Sequence, residues 1–348
     1  MAITEEKVLD ALRSVMDPDL NRDVVSLGFI KELKIDGGRV SFKLELTTPA
    51  CPLKAQLKAA SEEAVKGISG VSGVDVDVTS RVTTHRVEEK GDILPGVKNI
   101  VAISSGKGGV GKSTVSVNLA VALAKTGARV GLLDTDIYGP SIPIMMGVTD
   151  KPEIRGQKMV PIEKYGVHLM SIGFLIPEEQ AIIWRGPLVM KAVEQLLTDV
   201  EWGELDYLLI DLPPGTGDVQ LTLVQKVPLS GAVIVTTPQD VALLDVVRGI
   251  NMFKKVNVPI LGIVENMSFF QCPHCGERTD IFSHGGGAAA AEKQDVPFLG
   301  ELPIDPKIRA GGDSGTPIVI EDLKSPQSKI FMEIAGRLAA RVSSLDIC

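Results

Sequence analysis

The stretch GKGGVGKST, Gly106 to Thr114, lies between a strand-like run, NIVAISS (99–105), and a helix-like segment, VSVNLAVALAKTG (115–127). It matches the pattern G-x-x-x-x-G-K-S/T in the strand–loop–helix order that a phosphate-binding loop requires. The glycines let successive backbone N–H groups face phosphate oxygens, and the helix N-terminus adds a positive dipole. A structural glycine turn is the alternative. We expect a nucleotide site formed by the whole loop, which comprises Gly106, Lys107, Gly108, Gly109, Val110, Gly111, Lys112, Ser113 and Thr114.

Strand-like runs alternate with helix-length segments on the C-terminal side of this loop. These Val-, Ile- and Leu-rich runs are ARVGLLD (128–134), YLLID (207–211), GAVIVTTP (231–238) and PILGIVEN (259–266). Such alternation is typical of βαβ units and of a doubly wound, mostly parallel sheet. The sequence therefore predicts an α/β P-loop NTPase domain over residues 99–348, with a final helix at 325–342.

The chain before the loop has a different pattern, which predicts a small α+β domain. A helix is expected from Thr4 to the Asp17-Pro18 pair, a β-hairpin over 29–46, a second helix over 52–66 and a third strand over 73–79. Charged residues with Gly and Pro follow and show little periodicity, which is typical of a linker. We therefore divide the chain into a small domain (1–82), a linker (83–98) and the α/β domain (99–348).

Composition and charge restrict the class of protein. The 348 residues are 44% hydrophobic and 23% charged, which is typical of a globular protein and excludes fibrous and low-complexity classes. The formal net charge of −8 gives no general attraction to phosphate backbones, so we expect no nucleic acid partner. The N-terminus contains several acids and an Asp-Pro pair, and no run of about 18 apolar residues occurs, so we expect neither a signal peptide nor a membrane partner. These features predict a cytoplasmic protein.

Acidic side chains follow two of the predicted strands, at the edge where the phosphate loop lies. Asp134 ends one strand and Asp136 comes two residues later, while Asp211 ends another strand and is followed by Gly215. Carboxyl ends of parallel strands meet at one edge of a sheet, so these groups should face the nucleotide. We expect Lys112 to bridge the β and γ phosphates and Asp136 to hold the attacking water. Asp134, Asp211 and Ser113 are expected at Mg²⁺, and the Gly215 N–H near the γ-phosphate; turn capping is the alternative for the aspartates.

A pair of cysteines follows the last of these strands. Cys272 and Cys275 form a C-x-x-C motif, which presents two soft thiolates on one turn and suits half of a tetrahedral zinc or iron–sulfur site. The spacing also occurs in thiol oxidoreductases, which place the first cysteine at a helix N-terminus. A zinc site within one chain would recruit His274 or His284. Four cysteines in 348 residues are too few for a disulfide scaffold.

The phosphate loop contains a second lysine, Lys107, which an ordinary phosphate loop does not need. The arrangement of GKGGVGKST, with Lys107 directly after the first glycine, resembles the deviant Walker A ATPases. In that group the early lysine reaches the nucleotide of the other subunit of a dimer, so the resemblance implies this role for Lys107. It also implies that Asn266 reads the adenine edge and that Pro303 and Asp305 flank the base. Asn and Pro after strands also form ordinary turns.

Six motifs together resemble one family, the Mrp/ApbC iron–sulfur cluster carrier ATPases. They are GKGGVGKST (106–114), DTDIYGPS (134–141), WRGP (184–187), DLPPGTGD (211–218), ENMSFFQCPHCG (265–276) and ELPIDP (301–306). The resemblance implies a slowly ATP-hydrolysing homodimer that uses ATP and Mg²⁺. It further implies a labile [4Fe–4S] cluster bound by Cys272 and Cys275 of both chains, received from an upstream scaffold and transferred to apo iron–sulfur client proteins.

The N-terminal segments DPDLNRDVVSLGFIKEL (17–33) and TTPACPL (47–53) resemble a SufT/PaaD-like domain, which acts in iron–sulfur assembly. Cys51 lies at the predicted start of a helix, where a lowered thiol pKa would suit a metal ligand, and a buried inert cysteine is the alternative. Cys348 is expected to be incidental. The competing function for the chain is a partitioning or septum-siting ATPase that acts on DNA or membrane. The acidic charge and the C-x-x-C motif weigh against it.

Overall fold

The computed structural model describes residues 3–18, 20–85, 93–137, 139–175 and 186–345, without the side chains of residues 186, 187 and 218. They form two compact units, the chain up to Thr83 together with the end of the last helix from Ala339, and the chain from Thr84 to Leu338. Cys348, part of the predicted linker and the first half of the WRGP motif lie outside the described residues.

The N-terminal unit contains the expected helix, hairpin, helix and strand. Its elements are α1 (Glu5–Leu12), β1 (Met16–Asp17), β2 (Arg22–Asp23), β3 (Ile30–Asp36), β4 (Arg39–Leu46), α2 (Lys54–Lys66) and β5 (Gly73–Ser80). β3 and β4 are antiparallel, and β5 completes a three-stranded sheet by pairing parallel to β4. α1 begins after the predicted N-cap, Thr4, whose hydroxyl accepts a hydrogen bond from the Lys7 N–H at 3.4 Å.

Two helix boundaries in this unit differ from the prediction. α1 ends at Leu12 instead of continuing to Asp17-Pro18. After Leu12 the backbone forms tighter turns, in which the Ser14 and Val15 N–H groups donate to the Ala11 and Leu12 carbonyls at 3.2 and 3.0 Å. Residues 16–17 form a short strand instead. α2 begins at Lys54 instead of Pro52, so Cys51 lies three residues before the helix and not directly before it.

The second unit is organised around an eight-stranded sheet. The strands of this unit are β6 (Val97–Ser104), β7 (Val130–Asp134), β8 (Ile154–Arg155), β9 (Lys158–Met159), β10 (Ile162–Lys164), β11 (Val167–Ser171), β12 (Leu205–Asp211), β13 (Gly231–Thr236), β14 (Ile260–Glu265), β15 (Phe270–Gln271), β16 (Arg278–Thr279) and β17 (Phe298–Glu301). β8 and β9 pair with each other outside the large sheet, and so do β15 and β16. The sheet order is β10-β11-β7-β12-β6-β13-β14-β17, and every neighbouring pair is parallel except β10 and β11. This confirms the predicted doubly wound, mostly parallel sheet.

Helices connect these strands, as the βαβ pattern predicts. They are α3 (Lys112–Lys125), α4 (Ile142–Met145), a 3₁₀ turn (Ile172–Leu175), α5 (Gly186–Thr198), α6 (Asp218–Lys226), α7 (Asp240–Lys255), α8 (Gly286–Gln294), α9 (Pro306–Ser314), α10 (Ile318–Glu321) and α11 (Pro326–Ser343). The core consists mainly of Val, Leu, Ile and Ala, which matches the low aromatic content. In the described parts of the chain, no helix combines the length and apolarity needed to cross a bilayer.

The register of the strands brings the polar strand ends together. Asp134 at the end of β7 lies opposite both Asp211 of β12 and Ser171 of β11. Glu265 at the end of β14 lies opposite Glu301 of β17. The sheet therefore collects its polar side chains at the carboxyl edge, next to the phosphate loop after β6.

Candidate functional site

The phosphate loop joins β6 to α3, and its backbone requires glycine at defined positions. Gly111 has a φ of +80°, and a Cβ there would lie 2.2 Å from the Asn266 amide nitrogen. That amide donates to the Val110 carbonyl at 2.9 Å. A Cβ at Gly106 would lie 2.7 Å from the backbone of Asp245 in α7. The loop is thus packed closely between α7 and the residue after β14.

Asp211 is the centre of the polar cluster below the loop. Its carboxylate is fully buried and accepts hydrogen bonds from Lys112 Nζ at 2.6 Å, Ser113 Oγ at 2.7 Å and Ser116 Oγ at 2.5 Å. Carboxylate and hydroxyl oxygens are the ligands that Mg²⁺ prefers, so Ser113 and Asp211 fit the predicted ion. Lys112 is the cation of this cluster and can exchange its carboxylate partner for phosphate oxygens.

Asp134 and Asp136 lie beside this cluster. Asp136 Oδ2 is 3.7 Å from Lys112 Nζ. Asp134 is fully buried and accepts hydrogen bonds from the Asp136 N–H at 3.0 Å and from Ser171 Oγ at 2.9 Å. Burial, and then the neighbouring Asp211 carboxylate, raise the pKa of Asp134 from 3.8 to about 7. The three predicted aspartates therefore gather around one lysine, and Asp134 holds the backbone of Asp136 in place.

The raised pKa of Asp134 predicts a pH dependence of stability in the absence of Mg²⁺ and nucleotide. Between about pH 4 and pH 7 the folded state keeps a proton that the unfolded chain has released, so stability falls as pH rises through this window. We expect Asp134→Asn to remove that loss, which is on the order of 2–4 kcal/mol by pH 8. Urea unfolding at pH 5 and pH 8 measures it, with Asp150→Asn at an exposed position as the control. An Asp134→Asn variant with the parent's pH dependence would contradict the assignment.

The other predicted nucleotide residues have partners in the described chain. The Gly215 N–H donates to the Ser105 carbonyl at 2.9 Å, so it would have to exchange this bond to reach a γ-phosphate. Asp305 caps α9 by accepting from the Lys307 N–H at 2.7 Å, and Pro303 is buried two residues before it. Asn266 supports the phosphate loop through Val110. The adenine contacts of Asn266, Pro303 and Asp305 stay predictions.

Lys107 is turned towards α7 in its own chain. Its ammonium lies 3.5 Å from Oε1 of Gln239, the residue that precedes α7, and its carbonyl accepts from Ser105 Oγ at 3.0 Å. The side chain is half-buried. This lysine is thus held by one neutral side chain, which it can leave at little cost when a stronger acceptor is offered.

The two cysteines lie on a small hairpin formed by β15 and β16. The Cys272 N–H donates to the Glu277 carbonyl at 2.9 Å, and the Gly276 N–H returns to the Cys272 carbonyl at 2.8 Å. Cys272 is half-buried and Cys275 is exposed. The backbone N–H groups of Cys275 and His274, and then the Cys275 thiol, lower the pKa of Cys272. A turn that stabilises a thiolate in this way suits a soft metal or an iron–sulfur cluster.

A second polar cluster lies between this hairpin and the sheet, and it carried no motif in the sequence. Ser268 Oγ lies 2.6 Å from Glu265 Oε1, 3.0 Å from Glu301 Oε2 and 3.2 Å from His284 Nδ1. Among the described residues, Glu265, His284 and Glu301 are the only set of three whose potential ligand atoms lie within 4.8 Å of one another. That set contains neither Cys272 nor Cys275, so the zinc site within one chain stays an untested alternative.

Known protein families match both predicted domains of the chain. A family model described as NUBPL iron-transfer P-loop NTPase matches residues 96–339, and one described as iron–sulfur cluster assembly protein matches residues 5–78. The chain is 49% identical over 349 residues to the iron–sulfur cluster carrier protein of Synechocystis, which covers 98% of each chain. It is 53% identical over 256 residues to the iron–sulfur cluster transfer protein NUBPL of Dictyostelium discoideum, which covers 73% of this chain and 79% of that protein. A solved nucleotide-binding protein from Archaeoglobus fulgidus, in complex with ADP and with cobalt found, is 41% identical with a TM-score of 0.61 and covers 70% of this chain and 95% of that one.

Proposed function

The chain belongs to the family of NUBPL-type iron-transfer P-loop NTPases, and from this premise we propose that it is an ATP-dependent iron–sulfur cluster carrier. It binds a labile [4Fe–4S] cluster as cargo between two copies of the chain and transfers it to apo iron–sulfur client proteins, after receiving it from an upstream scaffold. ATP hydrolysis, at a slow rate, accompanies this cycle. The acidic net charge of −8 and the cysteine hairpin support a protein client in preference to DNA or a membrane.

The observation that carries this proposal is the hairpin with its two thiols. A cubane cluster is held by about four thiolates, and the hairpin of one chain offers Cys272 and Cys275. A second chain related by a two-fold axis would supply the same pair, which completes the ligand set without any further residue. The exposure of Cys275 suits a site that opens to a partner. A single cluster held between the hairpins of two chains, at their surface, is also accessible to a client, as transfer requires.

The residues around Asp211 support ATP binding and hydrolysis. Lys112 would move from Asp211 to the phosphates, while Ser113 and Asp211 would hold Mg²⁺ and Asp134 would lie beside the ion. Asp136 would orient the attacking water, and its backbone is fixed by Asp134 and, through it, by Ser171. When bound, Mg²⁺ supplies charge neutralisation at the phosphates. These residues are the parts that phosphoryl transfer to water needs.

Lys107 is expected to act on hydrolysis and not on binding. In its own chain the Lys107 ammonium contacts Gln239, away from the Lys112–Asp211 pair, so Lys107→Ala should leave the Kd for ATP within about threefold. Hydrolysis should fall by about tenfold or more, because a cation that neutralises the transferring phosphoryl group would be lost. ATPase assays and equilibrium binding measure the two effects, with Lys125→Ala at the exposed end of α3 as the control. Hydrolysis at the parent rate would overturn the assignment of Lys107.

The match of residues 5–78 to an iron–sulfur assembly family extends the proposal to the N-terminal unit. Cys51 is half-buried and packs against the apolar core of that unit, which contains Leu57 and Val76. These contacts favour a structural role for Cys51. We therefore assign cargo binding to Cys272 and Cys275.

Anaerobic purification of the full chain tests the proposal directly. We expect a brown protein with the broad absorption of an iron–sulfur cluster and with equal amounts of iron and acid-labile sulfide. Incubation with an apo ferredoxin-type client should then move iron and sulfide to the client. A colourless protein that cannot be reconstituted with ferrous iron and sulfide would refute the carrier function.

A further inference from the structure

Arg278 connects the cysteine hairpin to the end of the sheet. It lies in β16, opposite Gln271 of β15, the residue that precedes Cys272. Its guanidinium is 4.1 Å from the centre of the Phe269 ring. Nε lies 3.1 Å from Asp280 Oδ1, just after β16, and Nη1 lies 3.4 Å from Glu301 Oε1 at the end of β17. Arg278 Nη2 also lies 3.0 Å from the ring nitrogens of His284. One cationic side chain thus contacts the hairpin base, the sheet and the loop before α8.

The partners of Arg278 continue to the phosphate loop. Glu301 shares the Ser268 hydroxyl with Glu265, which is fully buried and also accepts from the Gly285 N–H at 3.1 Å. Glu265 is followed directly by Asn266, whose amide holds the Val110 carbonyl of the phosphate loop. A chain of hydrogen bonds and one peptide bond therefore leads from the nucleotide loop to the hairpin.

The middle of this connection can adopt two arrangements. The Ser268 hydroxyl lies 2.6 Å from one carboxylate and 3.0 Å from the other, and a hydroxyl with one proton donates to only one of them at a time. Donation to Glu265 leaves Glu301 Oε2 to His284 alone. Donation to Glu301 Oε2 instead draws negative charge from the carboxylate whose other oxygen, Oε1, faces Arg278.

We propose that Arg278 is the positioning residue of the cysteine hairpin, and that through Glu301 and Ser268 it makes the metal on the hairpin and the nucleotide in the phosphate loop change each other's affinity. This inference rests on the proposed function, since it concerns the same thiols and the same loop. The coupling is reciprocal: nucleotide changes the Kd for metal by the same factor as metal changes the Kd for nucleotide.

Cobalt binding measures this coupling in the full chain. Co²⁺ would be titrated anaerobically into the reduced protein and followed by its thiolate absorption band, with and without Mg²⁺ and a non-hydrolysable ATP analogue. The Kd of the analogue would be measured with and without Co²⁺. In the parent we expect each ligand to change the Kd of the other by the same factor, about fivefold or more. In Arg278→Gln that factor should fall below about twofold, while the analogue alone binds as in the parent.

Arg129→Gln is the matched control. Arg129 is another half-exposed arginine paired with a carboxylate, 3.2 Å from Asp206, but it lies at the amino end of the sheet. It should keep the parent's coupling. Parent-like coupling in Arg278→Gln, no coupling in the parent, or complete loss of cobalt binding in Arg278→Gln would each overturn the inference. Failure of the parent to bind Co²⁺ through its cysteines would instead count against the proposed function.

Discussion

Replacing Lys112 with alanine is expected to reduce ATP affinity by at least about 100-fold, because two charge-assisted hydrogen bonds to phosphates, each of about 1.5–3 kcal/mol, would be lost. Lys112 is the cation at the centre of the site, 2.6 Å from Asp211 and 3.7 Å from Asp136. Its removal also leaves these carboxylates without a positive neighbour in a buried place. We therefore expect the free energy of unfolding without nucleotide to fall by roughly 3–5 kcal/mol.

Equilibrium binding of Mg²⁺ and a fluorescent ATP analogue measures the first effect, and urea unfolding measures the second. Lys98→Ala is the control, since Lys98 also pairs with a carboxylate, Asp206 at 2.8 Å, but at the opposite end of β6. It should bind nucleotide like the parent. A folded Lys112→Ala variant with parent affinity would show that the loop does not bind phosphate through this lysine.

Replacing Cys272 or Cys275 with serine is expected to remove the cluster from both chains of the dimer. Each chain supplies two of the four thiolates in the proposed site, so loss of one cysteine per chain leaves two ligands where four are needed. We expect iron content to fall to less than about a tenth of the parent's, because a hydroxyl is a poor ligand for a soft cluster. The Kd for ATP should change only by the coupling factor, since neither cysteine belongs to the phosphate loop.

Iron and sulfide assays on anaerobically purified variants measure this loss. Cys51→Ser is the matched control: it removes a half-buried cysteine of the N-terminal unit and should keep the brown colour. A Cys272→Ser variant that retains its chromophore would exclude the hairpin as the cargo site.

The nucleotide-binding residues could be predicted from the sequence, because each of them lies in a short motif or directly after a predicted strand. A glycine-rich loop between a strand and a helix has few other uses, and parallel strands bring their carboxyl ends to one edge whatever lies between them. Asp134, Asp136 and Asp211 could therefore be predicted to lie in one place from strand order alone. The register places Asp134 opposite Asp211, and Asp136 lies 3.7 Å from Lys112.

Residues that contribute through tertiary contacts could not be predicted in this way. Ser171 lies on β11, whose place beside β7 depends on the fold, and nothing in its sequence pattern distinguishes it from other serines. Glu265 and Glu301 end two strands that are far apart in sequence, and only their pairing brings them to Ser268 and Arg278. The early end of α1 was also missed, because the apolar periodicity continues to Val15 while the backbone leaves the α-helical hydrogen bonds after Leu12.

Native mass spectrometry of the anaerobically purified full chain measures how many chains and how many irons the cargo site contains. We expect a species of two chains that carries one [4Fe–4S] unit, or about two irons per chain, and we expect the mass of that unit to be absent from Cys272→Ser. A single chain that carries about four irons, or a dimer that binds the same iron after both hairpin cysteines are replaced, would contradict a cluster shared between two hairpins.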